Sequence, residues 1–281
     1  MVEKVDKGRI MGKKKRQNSP LRFFVVAAFL IYMLAPIIAT YIFSVATRWD
    51  RSILPEGYTL DSYRTTFNLS YFRVSLINSL TLSLAACLVS FVVIVPTVYW
   101  VEVYWPKFRV VLDLLMILPF AIPTVVLALS YVRVYNFQPI TRSPLLLVMA
   151  TVIYTMPYMY RSVTNSVDAV DIRTLTEASQ SLGSDLWNTM LRVIMPNIFP
   201  GLLSGMLLVF ATVFADFTLA KLITGARFKT FPMLLVEQTQ IDGGVSAALS
   251  VISFTIAWAV SMILLWLSGK TDKRQKAVEA K

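Results

Sequence analysis

The chain has no histidine and one cysteine among 281 residues, and only 15% of its residues are charged. With Cys87 as its sole thiol it can form neither a disulfide framework nor a thiolate metal cluster. Its apolar stretches hold no paired carboxylates at helical spacing, so no catalytic constellation can be assembled from acids, bases and nucleophiles. Soluble domains carry about a quarter charged residues, whereas this chain is 56% hydrophobic. A cleavable signal peptide is absent too: the first apolar run is too long and lacks a small-residue cleavage site. These absences point to a multi-span membrane protein.

Six apolar runs, near 23–46, 76–101, 110–132, 145–163, 202–223 and 246–268, are each long enough to cross a hydrocarbon core of about 30 Å as helices. Segments such as LLLVMATVIY (145–154) do not alternate as barrel strands would. The expected fold class is an all-α integral membrane protein with six transmembrane helices. The formal charge of +11 is unevenly placed: 18 of the 27 Lys and Arg fall on one side of the runs. The positive-inside bias then puts both termini, and the polar insert between runs 4 and 5, in the cytoplasm. KKKR (13–16) reads as a topology anchor drawn to anionic lipid rather than a nucleic-acid site, and a start at Met11 would preserve it.

Prolines interrupt the runs. Pro36, Pro96 and Pro157 lie inside runs 1, 2 and 4, and LPFAIP (118–123) lies inside run 3. Each removes a helix hydrogen bond, and in a membrane the freed carbonyls need neighbours or cavity water. Such a pattern favours a pathway-forming bundle, with kinks needed only for packing as the plainer reading.

The insert, TEASQSLGSDLWNTMLRVIMPNIF (174–197), is helix-patterned but polar. Thr174 and Glu177 match a capping box, and Gly183 suits a left-handed helix C-terminus. Ser184 and Asp185 can start a second helix. Leu186, Met190, Val193 and Ile194 then share one face, and Pro196 and Pro200 are expected to end it. The spacing predicts two short helices forming a hairpin that docks on a soluble partner or lies on the bilayer surface.

Glu177-Ala178-Ser179, three residues, Gly183, nine residues, then Val-Ile-Met-Pro196 resembles the EAA loop of permease subunits in binding-protein-dependent ATP-binding cassette importers. The family pattern has alanine, isoleucine and leucine where this chain has Ser179, Val193 and Met195. The resemblance covers roughly residues 72–268 and implies a type I importer fold, with the hairpin as the coupling element for a cytoplasmic ATPase dimer. It assigns ATPase coupling to Glu177, Ala178, Ser179, Gly183, Leu186, Met190, Val193 and Pro196. ATP and magnesium would be bound by that partner, with no cofactor or metal held by this chain. A second permease subunit, identical or related, and an external or periplasmic solute-binding protein would complete the assembly. The implied location is the bacterial or archaeal cell (inner) membrane. In that frame the chain divides into a basic cytoplasmic tail (1–22), a first span and external loop (23–71), a permease core (72–268, with the EAA loop at 164–200) and a cytoplasmic tail (269–281).

SGKT (268–271) resembles the end of a phosphate-binding loop, but the glycine such a loop requires would fall at Leu264. Asp216, followed by Phe217, is the most deeply placed acid and a candidate for the pathway or gate, since a charge within a span costs a few kcal/mol. Asp113 and Glu102 are expected to pair with Lys107 or Arg109. Gly225, Arg227 and Lys229, in the outer loop 225–244, are candidates for binding-protein contact. The segment ADFTLAKLITGARFKTFP looks closer to the iron, polyamine and organophosphonate branch than to the sugar branch. An ATP-independent secondary transporter or channel is the second reading, and a membrane-embedded enzyme the third.

Overall fold

A computed structural model of the chain describes residues 20–49 and 54–279, with side-chain surroundings for 23–49 and 54–267. Most of the expected N-terminal tail, including KKKR and Met11, lies outside the described residues. The helices are α1 (Pro20–Val45), α2 (Asp61–Phe67), α3 (Phe72–Tyr104), α4 (Arg109–Ala121), α5 (Thr124–Val134), α6 (Pro144–Asp168), α7 (Ile172–Ser181), α8 (Leu186–Asn188), α9 (Met195–Phe214), α10 (Thr218–Thr224), α11 (Phe231–Gln238) and α12 (Gly243–Glu279). A π-helical stretch, Thr189–Ile194, joins α8 to α9 without a break.

Among the described residues, four helices are long and apolar enough to cross a membrane: α1, α3, the continuous Leu186–Phe214 helix and α12. A fifth arises if α4 and α5 are taken as one span, bent by 99°. The expected run 145–163 forms α6, which is less apolar because it occupies the middle of the bundle. It packs on α3, α4, α9 and α10. Two of its buried hydroxyls bond to its own backbone, Thr151 to the Val148 carbonyl and Thr155 to the Thr151 carbonyl, as a helix shielded from lipid can tolerate.

Two expected spans are broken. Run 3 turns at Ile122–Pro123, where Ile122 takes the extended backbone (ψ 123°) that is favoured before a proline. Run 5 ends at Phe214, and the chain restarts as α10 after Ala215–Phe217. By contrast Pro36, Pro96 and Pro157 are absorbed inside continuous helices. At 33 residues α3 is about 50 Å long, more than a hydrocarbon core needs. α12 likewise continues as helix through Glu279, past the expected end at 268.

Close packing of α9 on α6 depends on GLLSG (201–205), a small-xxx-small pattern that lets membrane helices approach. A Cβ on Gly205 would lie 2.8 Å from Met159 Sδ. α1 is lipid-like all round, with none of its most apolar window buried, and its main packing partners are α12 and α2.

Candidate functional site

The insert folds as a hairpin at one end of the bundle. The cap of its first helix, α7, lies three residues before the expected one. Asp171, not Thr174, is the N-cap, accepting from Thr174 N at 3.1 Å and Thr174 Oγ1 at 2.7 Å. Those bonds, from the Thr174 hydroxyl first, hold the Asp171 carboxyl below its ordinary range. The helix ends as the glycine predicts. Gly183 has φ +85°, Ser184 N donates to the Ser179 carbonyl and Gly183 N to the Gln180 carbonyl, which is a Schellman closure. Asp185 then caps α8 by accepting from Asn188 N.

The second half differs from expectation. Pro196 and Pro200 do not end it: the helix runs on into α9. The wide π turn at Thr189–Ile194 opens the backbone ladder just where Pro196 lacks a donor, and Asn197 Nδ2 donates to the Val193 carbonyl. The apolar face inferred from spacing is largely internal. Met190 is 8% and Ile194 1% exposed, and Val193 is half-buried. Ser179 and Thr189 share a buried hydroxyl–hydroxyl bond of 3.0 Å that ties the halves together. Glu177 and Ala178 face outward. With Leu186 at the margin, the exposed apolar surface is Leu182 (89%), Trp187 (66%) and Leu191 (55%).

α7 is fastened to the end of α3. Tyr99 Oη lies 3.4 Å from Thr176 Oγ1, Gln180 Nε2 donates to Tyr104 Oη, and Arg173 Nη2 donates to the Glu102 carbonyl. Nearby, Arg109 pairs with Glu102 (3.1 Å), as expected, and also with both oxygens of Asp168 (2.7 Å each). Asp113 departs from expectation: it accepts from Tyr160 Oη at 2.7 Å.

Asp216 lies in the gap between α9 and α10. Its Oδ2 accepts from Ala220 N at 3.1 Å, so the acid closes the start of α10. Phe217, half-buried, is packed against the core. In the expected outer loop, Gly225 has φ +57° and opens a 3-10 turn to Phe228, and Arg227 is exposed. Lys229 is held: it pairs with Glu237, covers the Tyr71 ring at 4.4 Å, and its carbonyl accepts from Asn78 Nδ2. Phe231 N donates to Ser79 Oγ at 2.7 Å. Among the described residues no group of three or more His, Cys, Asp or Glu is placed to hold a metal ion.

A model of the binding-protein-dependent transport system inner membrane component family matches residues 100–276, which include the hairpin and every helix after α3 as far as α12. The chain belongs to this family. It is a permease subunit of an importer of the ATP-binding cassette class and a multi-pass inner-membrane protein. The spermidine/putrescine transport system permease protein PotB of Escherichia coli (strain K12) is 24% identical over 279 residues, covering 91% of this chain and 98% of that protein. A probable molybdenum ABC transporter permease protein of Haloferax volcanii is 29% identical over 196 residues, covering 67% and 72%. A solved bacterial ABC transporter involved in import of the acidic polysaccharide alginate has the same fold, with a TM-score of 0.70 at 16% identity over 88% of this chain and 94% of that one. Another solved alginate transporter, with a TM-score of 0.68 at 14% identity over 87% and 91%, is in complex with a substrate-bound periplasmic protein.

For this permease the family's loop motif picks out Glu177 and Gly183 but passes over Trp187, Leu182 and Leu191. The available signal was an unplaced tryptophan in a polar insert. Leu191 is four residues beyond Trp187, and so on its side of the helix.

Proposed function

We propose that the chain forms half of a translocation pathway driven by a separate ATPase dimer, with the α7–α8 hairpin as the docking element. In this reading α6 and the bent α4–α5 pair also cross the bilayer, giving six spans with both termini and the hairpin in the cytoplasm. ATP and magnesium are handled by the partner, and a second permease subunit and an external solute-binding protein complete the assembly. The observation that carries the reading is the hairpin surface. Exposed Glu177 stands on one helix, and Leu182, Trp187 and Leu191 leave apolar area uncovered around a turn fixed by Gly183. An aromatic anchor with a flanking charge is the make-up of an interface hot spot, and a rigid hairpin transmits rigid-body motion.

For cargo, the relatives named for spermidine and putrescine favour a small polyamine, ahead of an oxyanion such as molybdate. The fold likeness to alginate transporters carries no weight on this point.

The test is affinity purification of the tagged chain from its native membranes in mild detergent, followed by reconstitution of what co-purifies. A stoichiometric ATPase and ATP-dependent uptake of labelled spermidine are expected. Trp187→Ala or Glu177→Lys should weaken ATPase retention about ten-fold or more, the equivalent of roughly 1.4 kcal/mol at an anchor. Gradient-driven uptake by the chain alone, with no ATPase, would replace this reading with the secondary transporter.

A further inference from the structure

The hairpin end of the bundle is joined by charge where apolar packing is thin. In α4 only Met116 and Pro119 are buried. Between this helix and α6 lies a cavity of about 370 Å³, lined in part by Arg109, Asp113, Tyr160 and Asp168. With that space beside it, Leu112 is, among the described residues, the one apolar side chain in the first half of α4 that packs against the core. Two polar links to α6 add to that contact, Tyr160 to Asp113 and Arg109 to Asp168.

Arg109 does more than close one pair. It is the first residue of α4, and its guanidinium spans Glu102 in the last turn of α3 and Asp168 at the end of α6. The Glu102 backbone carbonyl in turn receives Arg173 of α7. The hairpin is thus tied to the end of α3, and the end of α3 is tied to α4 by the short 3-10 turn Pro106–Phe108 and by the Arg109 side chain. Beyond the 99° break α4 continues as α5, and α5 packs on α10, the helix whose start Asp216 closes.

We propose that Arg109 is the positioning residue that makes the hairpin, the end of α3 and the whole bent α4–α5 pair move as one body. The inference rests on the hairpin being the place where an ATPase acts. A two-pronged guanidinium–carboxylate contact fixes orientation as well as distance. The side chains of this cluster are 27–46% exposed, so solvent screening keeps its contribution to stability small. Its value is geometric, and a neutral replacement should leave the fold standing.

The experiment reads relative motion within one chain. Spin labels are placed at Ser181→Cys on the hairpin and Ser130→Cys on α5, both exposed positions; Cys87 is buried and stays in place. Labelled chain is diluted with unlabelled chain in the complex with its co-purified ATPase, and pulsed EPR distances are taken with and without trapped nucleotide. In the wild type the distance should stay constant, while a label pair from Ser181→Cys to Ser250→Cys on α12 shifts. Arg109→Met should add a nucleotide-dependent shift of roughly 2 Å or more to the hairpin–α5 distance. The exchange Arg109→Glu with Glu102→Arg, which rebuilds the α3–α4 pair with its charges reversed, should remove that shift again, whereas a role in stability alone would give no nucleotide-dependent shift to remove.

A hairpin–α5 distance that moves in the wild type, or that stays constant in Arg109→Met, overturns the proposal while leaving the importer reading intact. Should Arg109→Met not assemble, Glu102→Gln, which removes the ion pair with Arg109 but keeps the Glu102 backbone carbonyl for Arg173, is read the same way, and a constant distance there is equally fatal. A wild-type chain that retains no ATPase overturns the importer reading first, and this inference with it.

Discussion

Gly201 of α9 lies against Ser166 of α6 with no room for a side chain: a Cβ there would be 1.7 Å from Ser166 Oγ and 2.7 Å from the Ser162 carbonyl oxygen. The serine can rotate away, but the backbone oxygen cannot. Gly201→Ala should therefore cost about 1–3 kcal/mol, the usual range for overpacking a core. Adding Ser166→Ala should recover only part of it. Thermal unfolding in detergent, with the yield of monodisperse protein, checks both. An unchanged midpoint in Gly201→Ala would mean that α9 and α6 are not packed this closely.

Gly183 presents the opposite case. Nothing lies within 4 Å of a Cβ placed there, yet its φ is +85°. The cost of a side chain is backbone strain alone, about 1–2 kcal/mol for a left-handed L-residue. Gly183→Asn should be better tolerated than Gly183→Ala, and Gly183→Val should be worst, because asparagine visits that region and β-branched residues avoid it. ATPase retention measured across the three variants should follow that order. A flat series would show that the turn's shape is irrelevant to docking.

Asp216 can be tested by separating its charge from its hydrogen bond. Asn keeps an acceptor for Ala220 N, whereas Ala removes it. Asp216→Asn should stay within about two-fold of wild-type uptake, because only the charge is lost. Asp216→Ala should lose about 0.5–2 kcal/mol of stability, as helix-cap deletions do. Uptake abolished in Asp216→Asn, with normal assembly, would return the acid to the pathway.

The lengths and periods of the apolar runs were enough to place most helices, because lipid and core both select for uninterrupted apolar sequence. The breaks were less legible. Pro123 breaks run 3 while Pro96 and Pro157 leave their helices whole, since tertiary packing, rather than the proline, decides which carbonyls find new partners. The break before Asp216 has no proline at all. In the hairpin, Gly183 was readable because φ constrains residue type. The N-cap was misplaced because Asp171 and Thr174 both fit a cap, and only the fold shows which accepts. The exposed apolar face of the hairpin was misread for a related reason. Helical spacing finds an apolar stripe at Met190 and Ile194 but cannot tell a stripe buried against α7 and the core from one left open.

The loop after α10 is set by its own contacts. Lys229 is pinned by Glu237 and Tyr71, its carbonyl is held by Asn78, and Phe231 is fully buried two residues on. Ordering a loop on association normally drains free energy from binding, about 0.5–1.5 kcal/mol for each immobilised long side chain. Here that entropy is lost when the chain folds. A partner arriving at this face meets a surface already set, and its affinity is decided by fit.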